Sequence, residues 1–177
     1  MTDLTAARVV AVANQKGGVA KTTSVVSLAD AFTELGLRVL CVDLDAQASQ
    51  TFSLGVDPDA VEVSVHDVLL ATGTAEAVRQ RLDSEVDLLP SSIDLAGTEA
   101  QLLTKPGREF VLTRVLQPLL GEYDVILLDC SPSLGVLTLN ALTAADEVII
   151  PLQCEMLSHR GVGQLLDTIA DVQAILN

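Results

Sequence analysis

Two lysines five residues apart, Lys16 and Lys21, stand in a glycine-bearing stretch, QKGGVAKTT, that ends in the hydroxyls of Thr22 and Thr23. Residues of these types at this spacing are suited to holding phosphate. Backbone N–H groups of a glycine loop surround the anion, an ammonium neutralises it, and a hydroxyl ligates magnesium. Three carboxylates follow apolar runs farther along: Asp43 and Asp45 in VDLDAQ, and Asp129 in YDVILLD. One aspartate after a strand is ordinarily a helix cap or a solvated turn. Three of them beside a phosphate loop fit phosphoryl transfer, which is mainly positioning and charge stabilisation around a metal and a held water. In that chemistry Lys21 reaches the β- and γ-phosphates and the Thr22 hydroxyl ligates Mg²⁺. Asp129 holds the magnesium shell, Asp45 orients the attacking water, and Asp43 serves the magnesium or the switch geometry. A chance strand–helix connection would explain a glycine, a lysine and a threonine in isolation. It does not explain two lysines with a strand before them and a helix behind.

The elements that must position these groups are legible from periodicity. The β-branched run over residues 9–13 predicts a buried strand and residues 14–20 a loop. A helix then opens at Lys21, with Val25, Val26, Leu28, Ala29, Phe32 and Leu35 as its apolar stripe and Gly36 at its end. Residues 38–43 predict a second buried strand. Ser64 is placed to cap a helix through Val65, Val68, Leu69 and Leu70, ended by Gly73. Residues 75–82 predict another short helix, and residues 86–89 a strand closed by Pro90. Helices follow over 93–103 and from Phe110 to near Gly121, separated by the breaker Lys105-Pro106-Gly107. The strand at 123–128 carries Asp129 at its carboxyl end. Beyond it come a helix over 138–145, a strand over 147–152 and a last helix from about Ser158. That helix has Val162, Leu165, Leu166, Ile169, Val172 and Ile175 on one face. The alternation predicts one α/β domain over residues 1–177, doubly wound, with a mainly parallel sheet and helices on both faces. Ligands of such sheets bind outside the carboxyl ends of the strands, where the loop and the acids all fall.

Composition narrows the class. A chain of 177 residues that is 49% apolar can bury a full core. No apolar stretch reaches the ~18 residues needed to span a bilayer, and MTDLTAAR lacks a signal-peptide core, so a cytoplasmic protein without membrane contact is expected. Cys41, Cys130 and Cys154 show no metal-ligand spacing and read as buried thiols. His66 and His159 are isolated and read as packing or surface residues. A net charge of −14, from ten basic and twenty-four acidic residues, argues against strong nucleic-acid binding by the monomer. The few aromatics, Phe32, Phe52, Phe110 and Tyr123, offer no base-stacking platform.

The loop does not fit the general P-loop signature, because Gln15 and Ala20 stand where that signature has glycines. It resembles the deviant Walker A motif, K-G-G-x-G-K-[ST]-[ST], of the ParA/MinD class of P-loop ATPases. Lys16, Gly17, Gly18, Val19, Lys21, Thr22 and Thr23 match it, and Ala20 replaces its third glycine. VDLDAQ is similar to the V-D-x-D-P-Q stretch of ParA-type (Soj-like) proteins. YDVILLDCSPSLGVLTLNALTAADEVIIPLQCE is similar to their Walker B and switch region, and LLPSSIDLAGTEAQL and the GRE at 107–109 also match. The resemblance runs from about residue 8 to the end. It implies ATP and Mg²⁺ as cofactors, with Lys16, Gly17, Gly18, Val19, Ala20, Lys21, Thr22 and Thr23 binding the nucleotide. It makes Lys16 the signature lysine that crosses an ATP-sandwiched homodimer, gives Asp45 the water-activating role and makes Asp129 the Walker B acid. It further implies a ParB-type centromere-binding partner, non-specific DNA binding by the full-length dimer, a nucleoid-associated location and a role in chromosome or plasmid segregation. Family chains continue past the helix that follows PLQCE, so a C-terminal part is expected to be absent.

Three departures qualify the resemblance. Ala20 costs about 1–2 kcal/mol if its position is left-handed, which would slow hydrolysis before it abolished binding. Ala46 and Ser131 replace prolines and loosen both switch loops. Other functions on the same frame are a MinD-type division ATPase, a nucleotide-binding scaffold with little hydrolysis, and a metabolic enzyme. The first would need a basic amphipathic C-terminal helix, and none is present after Arg160. Of the metabolic enzymes, an iron–sulfur reductase would need a paired cysteine cluster, which is lacking, and an amide-forming synthetase would have no need of Lys16.

Overall fold

A computed structural model describes residues 6–153 and 158–176, with side chains from 158 to 160 left aside. The readings made on the first five residues, on Cys154 and on the His159 side chain lie outside what it describes. Six strands form one sheet: β1 (Arg8–Val12), β2 (Val39–Leu44), β3 (Gln80–Arg81), β4 (Val86–Leu89), β5 (Val125–Cys130) and β6 (Glu147–Ile149). Their spatial order is β3-β4-β2-β5-β1-β6, and every pairing is parallel except β3 with β4. The helices are α1 (Lys21–Glu34), α2 (Ser49–Ser53), α3 (Val65–Leu70), α4 (Ala75–Val78), α5 (Leu95–Leu102), α6 (Val111–Leu116), α7 (Val136–Ala144) and α8 (Ser158–Ile175).

The period-two alternation of side chains divides the core in two. Val9, Ala11, Leu40, Val42, Leu44, Ile126 and Leu128 face one way, under α3, α5, α6, α7 and α8. Val10, Val12, Val39, Cys41, Val125 and Leu127 face the other, under Val25 and Ala29 of α1. Helices on both faces are therefore borne out, with one face covered chiefly by α1. The same alternation continues into Asp43 and Asp129, which follow Cys41 and Leu127 by two residues and so lie on the α1 side.

Several boundaries depart from the periodicity. Ala71, left-handed at φ 63°, ends α3 before Gly73 is reached. The expected helix over 75–82 stops at Val78, because Arg79 turns to Glu122 and to the Tyr123 hydroxyl and the chain continues as the antiparallel edge strand β3. The helix expected from Phe110 is short α6 flanked by two 3₁₀ turns, the second built on Pro118, which cannot donate within a helix. The helix expected over 93–103 is trimmed to α5, and the strand expected over 147–152 to β6. Strand β5 runs through Cys130, so Asp129 is its penultimate residue and not the first of a loop. Leu35, Leu166 and Ile175, placed on apolar stripes, are exposed, whereas Leu165 and Val172 are buried. Among the described residues no helix is long and apolar enough to cross a membrane. Cys41 and Cys130 are buried free thiols as expected, and His66 is occupied by the Thr98 hydroxyl at 2.8 Å.

A buried polar residue ties the covered face together. Asn140 of α7 donates to the carbonyls of Arg108 and Val136, both at 2.8 Å, and accepts from the Leu112 N–H at 3.0 Å. Asn140→Ala leaves those groups unpaired and is expected to cost about 2–3 kcal/mol, measured by urea unfolding.

Candidate active site

The central strands β2, β5 and β1 are neighbours, and their register sets Asp43 beside Asp129 and Asp129 beside Val12. The loop of residues 13–20 leaves β1 at the same end and enters α1. Gly18 at φ 71° and Ala20 at φ 65°, ψ 31° are both left-handed, and successive turns of this kind point backbone N–H groups into one concavity. Lys21 is buried, its Nζ donating to the Lys16 carbonyl at 3.3 Å across the loop. Thr22 follows at the first turn of α1, where the helix N-terminus adds partial positive charge. The left-handed condition on Ala20 is therefore met, with no side chain capping α1 in compensation.

Asp129 is 1% exposed, and neither carboxylate oxygen has a hydrogen-bond partner. Burial pushes it up to about 7, against the pull of the nearby Thr22 hydroxyl and the Lys21 ammonium, with Asp43 and Asp45 adding to the rise. Asp43, fully buried, is satisfied differently. Its Oδ2 accepts from the Thr51 N–H at 2.9 Å and hydroxyl at 2.7 Å, and its Oδ1 from the Asp45 N–H at 3.1 Å. Burial raises it to about 6, opposed by those donors. Asp45 is half-buried and accepts from the Gln47 N–H at 3.0 Å.

Among the described residues no three His, Cys, Asp or Glu side chains gather as a metal cage. The donor set still fits magnesium, which keeps several waters and takes one or two protein oxygens together with substrate phosphates. Asp129, a buried carboxylate without a hydrogen-bond partner and close to the Thr22 hydroxyl, has the oxygens that such an ion takes. Thr22 and Asp129 would hold the ion. Gly17 to Thr22 form the loop and the first turn of α1 beside these acids. Thr23 is exposed and Val19 buried.

Lys16 lies at the rim. Its Nζ donates to Gln153 Oε1 at 3.0 Å, while Gln153 Nε2 donates to the Gly18 carbonyl at 3.0 Å. Asn14 donates to the Pro151 carbonyl at 2.7 Å and accepts from the Lys16 N–H at 3.0 Å. The segment after β6 thus braces the loop, and neither Asn14 nor Gln153 was singled out by residue type. Thr51 and Ala48 were also missed. Thr51 links Asp43 to the Ser91 N–H at 2.9 Å, and Ala48 is left-handed at φ 51° ahead of α2. Asn14 at the loop's edge was the one with a visible signal.

Comparison with known proteins shows the family of this chain. A family model described as AAA domain matches residues 7–177. The sporulation initiation inhibitor protein Soj of Bacillus subtilis is 43% identical over 171 residues, covering 96% of this chain and 68% of Soj. The chromosome partitioning protein ParA of Myxococcus xanthus is 41% identical over 174 residues, covering 98% of this chain and 62% of its own. A crystal structure described as cobyrinic acid a,c-diamide synthase from Mycobacterium smegmatis, with bound ATP analogue and magnesium, superposes with a TM-score of 0.94. It shares 62% identity over 97% of this chain and 70% of that one. Among the curated relatives it matches, the chain spans as little as 54% of their length.

Both buried acids bind protons more tightly folded than unfolded, so nucleotide-free stability falls as pH rises through about 6 to 7 and recovers toward pH 4. The melting temperature of the nucleotide-free protein is expected to be higher near about pH 5.5 than near about pH 8, and Asp129→Asn to remove most of that slope. Ala20→Gly and Ala48→Gly each relieve a left-handed Cβ and are expected to stabilise by about 0.5–1 kcal/mol in urea unfolding.

Proposed function

This chain belongs to the AAA domain family, with Soj- and ParA-like partition ATPases as relatives, and we propose that it is an ATP-driven dimer switch for chromosome or plasmid segregation. One observation carries the reading: the buried, unpaired carboxylate of Asp129 faces the Lys21–Thr22 end of a left-handed phosphate loop. In this reading the loop N–H groups bind phosphate oxygens, and Lys21 neutralises the β- and γ-phosphoryl groups. Thr22 and Asp129 hold the magnesium shell. Magnesium, when bound, draws charge from the phosphoryl oxygens and so lowers the barrier to in-line attack. Asp45 orients the attacking water. Asp43, whose oxygens are committed to Thr51 and to the Asp45 N–H, positions Asp45 more than it serves the metal. Lys16 leaves Gln153 and reaches the phosphates of a second copy, making the homodimer dependent on ATP.

A ParB-type partner that stimulates turnover and non-specific contact with nucleoid DNA belong to the same proposal. With a net charge of −14, this stretch of chain offers little phosphate-neutralising surface, so the DNA contact is assigned to the full-length dimer. Slow hydrolysis without a partner follows from the strained Ala20. A second reading, a nucleotide-dependent amide-forming synthetase, is supported by the name of the M. smegmatis structure. The two differ in their need for Lys16.

Light scattering with Mg-ATP, with Mg-ADP and without nucleotide tests the switch. A dimer seen only with ATP, and lost in Lys16→Ala, is expected; a monomer in all three conditions would overturn the proposal. Lys21→Ala is expected to lower turnover by about a hundredfold or more, read by phosphate release. Full activity of Lys16→Ala in amide formation from a carboxylate and an ammonia donor would favour the synthetase.

A further inference from the structure

Helix α7 starts without a cap of its own. Its N-cap residue, Gly135, has no side chain, and the backbone there is ordinary extended chain at φ −77°, ψ −174°. No left-handed turn requires a glycine at this position. A Cβ on Gly135 would overlap the carboxylate of Glu99, the movable end of a side chain that reaches over from α5, so the two compete for one space. Glu99 Oε1 accepts from the N–H of Leu137, the second residue of α7, at 3.4 Å. An N-cap side chain ordinarily accepts from that amide or the next, so a residue of another helix here performs the capping function. Its negative charge also faces the positive end of the α7 dipole.

The place of this clamp gives it meaning. Residues 131–135 run directly from the end of β5, which carries Asp129, to α7. Glu99, Ser131, Ser133, Ala46 and Asp45 line one small cavity of about 140 Å³. Glu99 therefore stands between the segment that bears Asp45 and the loop that follows Asp129. Within the loop, the Thr138 hydroxyl donates to the Ser133 carbonyl at 2.6 Å, so fixing the start of α7 also fixes Ser133.

We propose that Glu99 is a positioning residue for ATP turnover, clamping the 131–135 loop against α7 so that it faces Asp45 at the right distance across this cavity. The role rests on the nucleotide reading above, in which Asp45 orients the water and Asp129 the metal shell. The hydrogen bond of Glu99 goes to the start of α7, not to either acid. It acts through the loop, and Gly135 is the complementary half of the clamp.

The test uses the chain as it stands and three variants, Glu99→Gln, Glu99→Ala and Gly135→Ala. Amide hydrogen exchange at residues 131–137 reports the clamp without reference to activity. Steady-state phosphate release and the affinity for a fluorescent ATP analogue report turnover and binding. Glu99→Ala and Gly135→Ala are expected to speed exchange at Leu137 by about tenfold or more, since the protecting contact is lost or displaced. Both are expected to lower kcat by about ten- to a hundredfold while leaving nucleotide affinity within about threefold, the signature of misplacement and not of lost binding. Glu99→Gln keeps the acceptor oxygen and should restore most of both. Unchanged exchange in Glu99→Ala would overturn the clamp. Faster exchange with unchanged kcat, or equal losses in Glu99→Gln and Glu99→Ala, would overturn the positioning role. A parent chain that binds no Mg-ATP would overturn the nucleotide reading and the role in turnover with it, while the exchange data would still show whether the clamp exists.

Discussion

The structure turns on a buried acid that its own chain leaves without a hydrogen bond. Asp129 is the penultimate residue of an otherwise apolar strand, is shut off from solvent, and is given no hydrogen bond by the chain. Its neighbour across the β2–β5 pairing is a second buried acid, Asp43. Two carboxylates side by side in a core are unfavourable unless something positive joins them, and the low local polarity that makes them costly also makes a cation there valuable. Asp43 is relieved by three donors of its own chain. Asp129 is left to a partner from outside, and the loop ahead of α1 supplies Lys21, Thr22 and an array of N–H groups on the same side of the sheet.

Two of the four left-handed non-glycine residues among the described residues lie near that acid. Ala20 and Ala48 each hold a left-handed conformation ahead of a helix, one beside the phosphate loop and one in the segment that follows Asp45. Both persist because their surroundings over-determine them. The loop is braced by Asn14 and Gln153 against the segment after β6, and the Asp45 segment is braced by Thr51 between Asp43 and Ser91. The Gln50 side chain, next to Thr51, is fully buried without a hydrogen-bond partner.

Membership of the AAA domain family and the shared architecture leave room for more than one activity, because sites, not folds, set function. The same phosphate loop serves a dimer switch or a synthetase. What separates them is the traffic of Lys16, which this chain keeps at the rim of the site and not inside it. Its ammonium donates to the Gln153 side chain at 3.0 Å.

Local patterns alone determined much of this protein. The strand–loop–helix around Lys16 and Lys21, the buried strands ahead of Asp43 and Asp129, the Ser64 cap and the parallel α/β class all follow from β-branched runs, period-two and period-3.6 spacing and turn residues. Lys21, Thr22 and Asp129 stand out in the sequence as candidates because phosphate and magnesium chemistry draws on few residue types. Tertiary structure decided the rest. Residue 79 leaves a helix because Glu122 and Tyr123 are within reach, and Leu166 stays exposed because nothing described packs over it. Asp43 is a tether because Thr51, eight residues on, folds back to it. Gln153 and Glu99 enter the site's surroundings from elements far away in sequence, and the Glu99 carboxylate of α5 takes the space beside Gly135 where a Cβ would stand. Such roles depend on which groups meet across the fold. Periodicity and residue type describe one segment at a time, and a contact between two segments is not a property of either.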